Sequence, residues 1–195
     1  MAPGYKAPGY SNVAIALHWL IAALVIGNLC LGEYFADLPS SDPKLFALVQ
    51  LHKSVGLTVL ILSVARLAWR LGHPVPPLPA SMNPALRVLA RTTHVLLYVL
   101  IIVIPLSGWA MVSASPLGLP TSYFGLFQWP HIPVIADLPR ARKVSLRHNL
   151  MVIHATLATS AIILIGIHVV GASYHQFIRR DDILKRMLPG FSKAA

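Results

Sequence analysis

Four long apolar runs, at 13–34, 46–70, 90–113 and 148–178, alternate with shorter polar, proline-rich or basic segments along the 195-residue chain. The last run, HNLMVIHATLATSAIILIGIHVVGASYHQFI, spans 31 residues without one Asp, Glu, Lys or Arg. Arg147 bounds it on one side, and Arg179 with Arg180 on the other. About 20 apolar residues suffice to cross a bilayer as a helix, so each run is expected to be a membrane span. The pattern predicts an all-α membrane protein, a four-transmembrane-helix bundle with short surface helices.

The polar segments divide the chain. Residues 1–12, MAPGYKAPGYSN, form a short Pro/Gly-rich N-terminal tail, and residues 13–178 hold the four spans. The loop after the first span carries Glu33, Asp37 and Asp42 among turn residues. GHPVPPLPASMNP is a stiff proline-rich connector, and Arg66 and Arg70 just before it suit snorkelling to the interface. The connection 114–147 contains PTSYFGLFQWPHIP, whose aromatics suit a membrane interface, and then turns basic at Arg140, Arg142, Lys143 and Arg147. Residues 179–195 are an amphipathic tail expected to lie along the membrane surface. The first run is too long for the apolar core of an ordinary signal peptide and is read as a retained span.

Composition narrows the class. With 56% hydrophobic and 11% charged residues, the chain is too apolar for a soluble domain. Its net charge of +10 does not point to nucleic acid, because the basic residues cluster at the ends of the apolar runs. Four spans put both ends of the chain and the 71–90 connector on one side, with ten basic residues against two acidic. The other side has six against four, so both termini are expected in the cytoplasm. Cys30 is the only cysteine, which excludes an intramolecular disulfide, and there is no C-x-x-C-H for thioether attachment of a haem.

The chemistry lies in the histidines. His154 and His168 are fourteen residues apart, on one helix face and roughly 21 Å apart along the axis. An ionisable side chain inside a membrane is a functional hypothesis by default. Topology assigns depth: His18 opens an outward span and His52 an inward one. His52 then shares the outer level with His154, and His18 the inner level with His168. Two imidazoles on facing helices at one depth are what a bis-histidine haem needs. Small residues near each histidine, among them Ala14, Ala22, Gly56, Ala158, Ala161, Gly171 and Ala172, leave room for a macrocycle, although helix packing in membranes also favours them. His148 lies off the ligand face, and His175 lies on it, two turns beyond His168. His94 has no partner at its depth once the four are paired; it is a candidate for a helix hydrogen bond or a quinone contact. His73 and His131 fall in loops.

SNVAIALHWLIAALV, LHKSVGLTVLILSVARLAWRLGHPVPPLP, the YFGLF segment, the H-x13-H of His154 and His168, and FIRRDDILKRMLPG together resemble the bacterial cytochrome b561 family. The resemblance covers roughly residues 10–190. It implies a small four-span inner-membrane cytochrome with two b haems, whose ligand positions match His18, His52, His154 and His168. One departure is Ala155, where many relatives have Glu after the ligand. The family is similar to quinone-reactive electron carriers, and one member type oxidises superoxide and reduces ubiquinone.

The expected function is therefore electron transfer to the quinone pool, with superoxide as donor at the periplasmic face. Lys53 and the run Arg140–Arg147 can steer an anion towards the outer site. They can equally serve as propionate partners or headgroup anchors. The alternative is a haem-bearing anchor subunit relaying electrons for a larger dehydrogenase or hydrogenase. A haem-free cation transporter is disfavoured by the lack of intramembrane carboxylates.

Overall fold

A computed structural model of the chain describes residues 9–78, 82–181 and 183–189. The first eight residues, the 79–81 stretch of the connector, Asp182 and the last six residues of the tail lie outside the described residues. Four long helices dominate: α1 (Asn12–Ala36), α2 (Leu45–Gly72), α3 (Pro84–Ser113) and α5 (Arg140–Ser173). All four are long and apolar enough to cross a membrane.

Helix starts follow local chemistry. Ser11 caps α1, its Oγ accepting from the Ala14 amide at 3.3 Å. Trp69 Nε1 donates to the same oxygen at 3.0 Å, tying the start of α1 to the end of α2. Asn83 caps α3 through Ala85 at 2.8 Å, with Pro84 in the first turn where a missing N–H costs nothing. This cap places the start of α3 six residues before the apolar run. Likewise α5 begins right after Pro139, eight residues before the charge-free stretch. Its 34 residues measure about 51 Å, against a hydrocarbon core of about 30 Å, so its basic start projects beyond the core.

The outside of the bundle is apolar, and its buried interior mixes apolar residues such as Ile15, Ile21 and Leu57 with small polar ones. Large apolar side chains such as Val95, Ile163 and Val170 stay exposed on its outside, while Ser54, Ser63, Thr93, Ser107 and Ser113 are buried within. Small polar residues let membrane helices approach and hydrogen-bond. Close backbone packing joins α1 to α2, α2 to α3, and α3 to α5. Neither α1 nor α2 packs extensively along α5, so a slot separates α5 from the α1–α2 pair.

Between α3 and α5 the aromatic connection forms a hairpin, β1 (Thr121–Tyr123) antiparallel to β2 (Phe127–Trp129), which the sequence pattern did not suggest. Its turn places Phe124 and Gly125 at φ 48° and 77°. Ser54 of α2 holds that turn, its Oγ accepting from the Phe124 amide at 3.0 Å. The short helix α4 (Pro133–Ala136) follows, and Ile132 donates to Ser113 Oγ at 2.9 Å. At the opposite end, α5 runs into a π-helix, Tyr174–Arg179, closed by Arg180 in left-handed geometry. The described part of the tail folds back on the helix ends. Trp19 Nε1 donates to the Met187 carbonyl at 2.6 Å, and buried Arg186 donates to the Pro77 carbonyl at 2.8 Å.

Candidate metal centres

Two pairs of imidazoles face each other across the slot. The rings of His52 (α2) and His154 (α5) have centroids 6.2 Å apart and planes at 78°. Those of His18 (α1) and His168 (α5) are 6.4 Å apart at 76°. Imidazole nitrogens bind first-row metals at about 2 Å, so two rings on opposite sides of one ion have centroids roughly 6.3 Å apart. Both pairs match this spacing. Each could offer two nitrogens, which would suit a metal whose other positions are filled by a macrocycle in the slot.

The outer pair is seated against backbone. His154 Nδ1 lies 3.1 Å from the Ile104 carbonyl and 2.9 Å from Ser107 Oγ, and Ser107 in turn donates to Ile104 at 2.7 Å. An Nδ1–H donated in this way would leave Nε2 free to face a metal. A Cβ at Gly108 would stand 3.1 Å from His154 Cε1, so a side chain there would crowd the ring by a few tenths of an ångström. A matching arrangement serves His52. A Cβ at Gly32 of α1 would stand 3.2 Å from His52 Cε1, and the Asn28 backbone lies one turn before it, close to the ring. His52 Nδ1 itself is buried without a hydrogen bond of good geometry.

These companions were missed by sequence reasoning, which looked for small residues on the ligand's own helix. Gly56 instead faces Asn28, whose Nδ2 would lie 3.6 Å from a Cβ there, so it serves α1–α2 packing. Gly171 has open space around it. The available signal for Gly108 was its place in Pro105-Leu-Ser-Gly, where proline and two small residues interrupt an apolar run.

The remaining histidines sort by contact. His94 is not isolated: its ring is 5.2 Å from that of His168, and its Nδ1 lies 2.8 Å from the Ala90 carbonyl. That ring spacing is too short for a metal between the two. His175 lies in the π-helix and pairs with Asp181 at 2.6 Å. His73 stacks on Trp69, its ring 3.9 Å away.

The basic residues also sort. Lys53 donates from Nζ to the Pro120 carbonyl at 3.2 Å, and Gln50 donates to the same oxygen at 3.0 Å. Position 53 is about 100° round α2 from His52, so this side chain clasps the hairpin and does not reach over the outer pair. On α5, by contrast, Arg140, Lys143 and Arg147 precede His154 by fourteen, eleven and seven residues. All three fall within about 40° of its face, so the His154 stripe continues towards the start of α5 as a basic one. Arg66, expected at the interface, is half-buried over the Tyr98 ring at 5.3 Å.

Comparison with known proteins agrees with this architecture. A family model described as prokaryotic cytochrome b561 matches residues 9–190. The chain is 36% identical over 180 residues to cytochrome b561 homolog 2 of Escherichia coli, covering 92% of this chain and 90% of that protein. It is 30% identical to cytochrome b562 of Cereibacter sphaeroides, over 93% of this chain and 96% of the relative. It is 29% identical to the probable superoxide oxidase CybB of Yersinia pestis, over 92% and 96% respectively. With a family match across residues 9–190 and a relative 36% identical over nearly its whole length, the chain belongs to the prokaryotic cytochrome b561 family of membrane electron-transfer proteins.

Proposed function

We propose that the four-span unit 13–178 is a di-haem b oxidoreductase of the bacterial inner membrane that oxidises superoxide at the periplasmic face and reduces ubiquinone. His52 and His154 would hold the outer haem, and His18 and His168 the inner one. The observation that carries this reading is the stacking of two imidazole pairs, at 6.2 and 6.4 Å, along one helix. When bound, such a haem supplies one-electron chemistry at an iron without an open coordination position. The net reaction takes two superoxide anions, one ubiquinone and two protons to two dioxygen and one ubiquinol.

The chain's own residues supply holding, orientation and steering. Ile104 and Ser107 fix His154, and Gly32 and Gly108 give the outer rings their space. Arg140, Lys143 and Arg147 extend the His154 stripe towards the outer surface, where they attract an anion. The relative named a probable superoxide oxidase supports this choice of donor. The positive-inside balance supports a cytoplasmic position for both termini. Stopped-flow mixing of the purified oxidised protein with superoxide tests the reading. Rapid haem reduction, followed by quinone-dependent reoxidation, is expected. A protein unreactive with superoxide overturns the donor, and one with fewer than two haems per chain overturns the di-haem reading.

A further inference from the structure

The face of α2 that carries His52 continues to the level of the inner pair. Ser63, Arg66 and Arg70 lie eleven, fourteen and eighteen residues beyond His52. At about 100° per residue, each returns to within about 40° of the His52 direction. Fourteen residues is also the spacing of His154 and His168, and α2 and α5 both run inward. Arg66 therefore reaches the depth of His18 and His168.

This stripe contains polar groups without protein partners. Ser63 is fully buried and its Oγ makes no hydrogen bond; Arg66 Nε is buried and unpaired. The guanidinium stands over the Tyr98 ring, and Arg70 shares that ring at 5.5 Å. Two cations thus flank one aromatic ring in a membrane-spanning segment. Glu33, Asp37, Asp42 and Asp137 belong to the outer end, and Asp181 is engaged by His175. Among the described residues no carboxylate is bonded to Arg66. A half-buried guanidinium requires a charge partner that a tyrosine face only partly replaces.

We propose that Arg66, supported by Arg70 and Ser63, is the binding site for a carboxylate of the inner cofactor, a propionate of the haem held by His18 and His168. This rests on the di-haem reading. The guanidinium fork matches a carboxylate in two parallel hydrogen bonds, which an ammonium cannot do. A fixed positive charge beside the iron also favours its reduced state, so Arg66 sets the balance between the two haems.

Redox titration of the purified full chain tests the assignment, with each haem identified by its histidine variants. Arg66→Gln is expected to shift the reduction equilibrium of the His18–His168 haem at least tenfold towards oxidised, about 59 mV for one electron. The outer haem should stay within twofold. Selective loss of the inner haem from Arg66→Gln also supports the site. Where that variant does not accumulate, Arg66→Lys is read instead: both haems retained, with a smaller shift confined to the inner one. Both equilibria within twofold of the unaltered protein, in either variant that accumulates, overturn the proposal. A lipid phosphate is the competing anion. In phosphatidylcholine nanodiscs with and without phosphatidylglycerol, the unaltered protein should titrate identically. A lipid-dependent shift that Arg66→Gln abolishes assigns the fork to lipid and overturns the propionate. Two haems per chain with no Arg66 effect leave the di-haem reading standing, whereas fewer than two in the unaltered protein refute that reading itself.

Discussion

Gly108 of α3 faces the ring of His154 so closely that a single methyl group there would stand 3.1 Å from Cε1. Contacts from the ring's Nδ1 to Ile104 and Ser107 oppose a shift of the ring away from α3. Gly108→Ala should therefore tilt or displace one imidazole of the outer pair. We expect an altered electron paramagnetic resonance signal for one haem, since its anisotropy reports the angle between axial rings, with the second haem unchanged. Overpacking of this kind costs about 1–3 kcal/mol. Gly166→Ala, with nothing within 4 Å, is the control and should leave both signals alone. Identical spectra for the two variants would remove Gly108 from any positioning role.

The histidine pairs predict a block pattern. His52→Ala and His154→Ala should each remove the same spectroscopic haem, and His18→Ala and His168→Ala the other. His94→Ala should keep both, because its ring sits 5.2 Å from His168 and its Nδ1 is engaged by Ala90. Pyridine haemochrome content of the five variants decides this. Loss of one haem from both His18→Ala and His154→Ala, with identical residual spectra, would overturn the pairing.

Much of this was legible because the membrane enforces simple rules. Apolar length marks spans, charge marks their ends, and span direction converts residue number into depth. The depth rule put His18 with His168 and His52 with His154 at the same levels before any coordinates. What it could not supply was lateral position. Depth alone left His94 without a neighbour, yet α3 packs against α5 and brings its ring next to His168. Charge at a span end suggested interface residues, yet Arg66 lies half-buried over the Tyr98 ring, a contact between helices that no local pattern encodes. The hairpin escaped for a different reason. Its two three-residue strands are too short for a period-2 signal, and a serine on a distant helix, Ser54, pins its turn.

Orientation is tested by fusion reporters. A reporter at Ala195 and one after Lys6 should both report cytoplasm, and one near Ser41 the periplasm. The structure already gathers the start of α1, the 73–78 connector and the 183–189 segment at one end, through Trp69–Ser11, Trp19–Met187 and Arg186–Pro77. That end carries the larger basic excess, which the positive-inside rule retains in the cytoplasm. A periplasmic signal at Ala195 would exchange the outer and inner assignments of both pairs.

Arg140, Lys143 and Arg147 continue the His154 stripe towards the start of α5, whereas Lys53 is engaged with the hairpin at Pro120. An anion approaching this end meets the basic stripe, and a bis-histidine haem as proposed would offer it no vacant position, so encounter should govern the rate. Exposed charges are screened over about 8 Å at physiological ionic strength. Raising salt should therefore slow haem reduction by superoxide several-fold. The double variant Lys143→Gln, Arg147→Gln should slow it at low salt and flatten the salt dependence, with haem content unchanged. Lys53→Gln should do much less to the rate, and should instead loosen the hairpin, read as faster proteolysis near Gly125. A rate indifferent to salt and to the double variant would leave these residues as headgroup anchors. It would also favour a chain that receives electrons from a protein partner, as an anchor subunit does, which copurification in gentle detergent would then reveal.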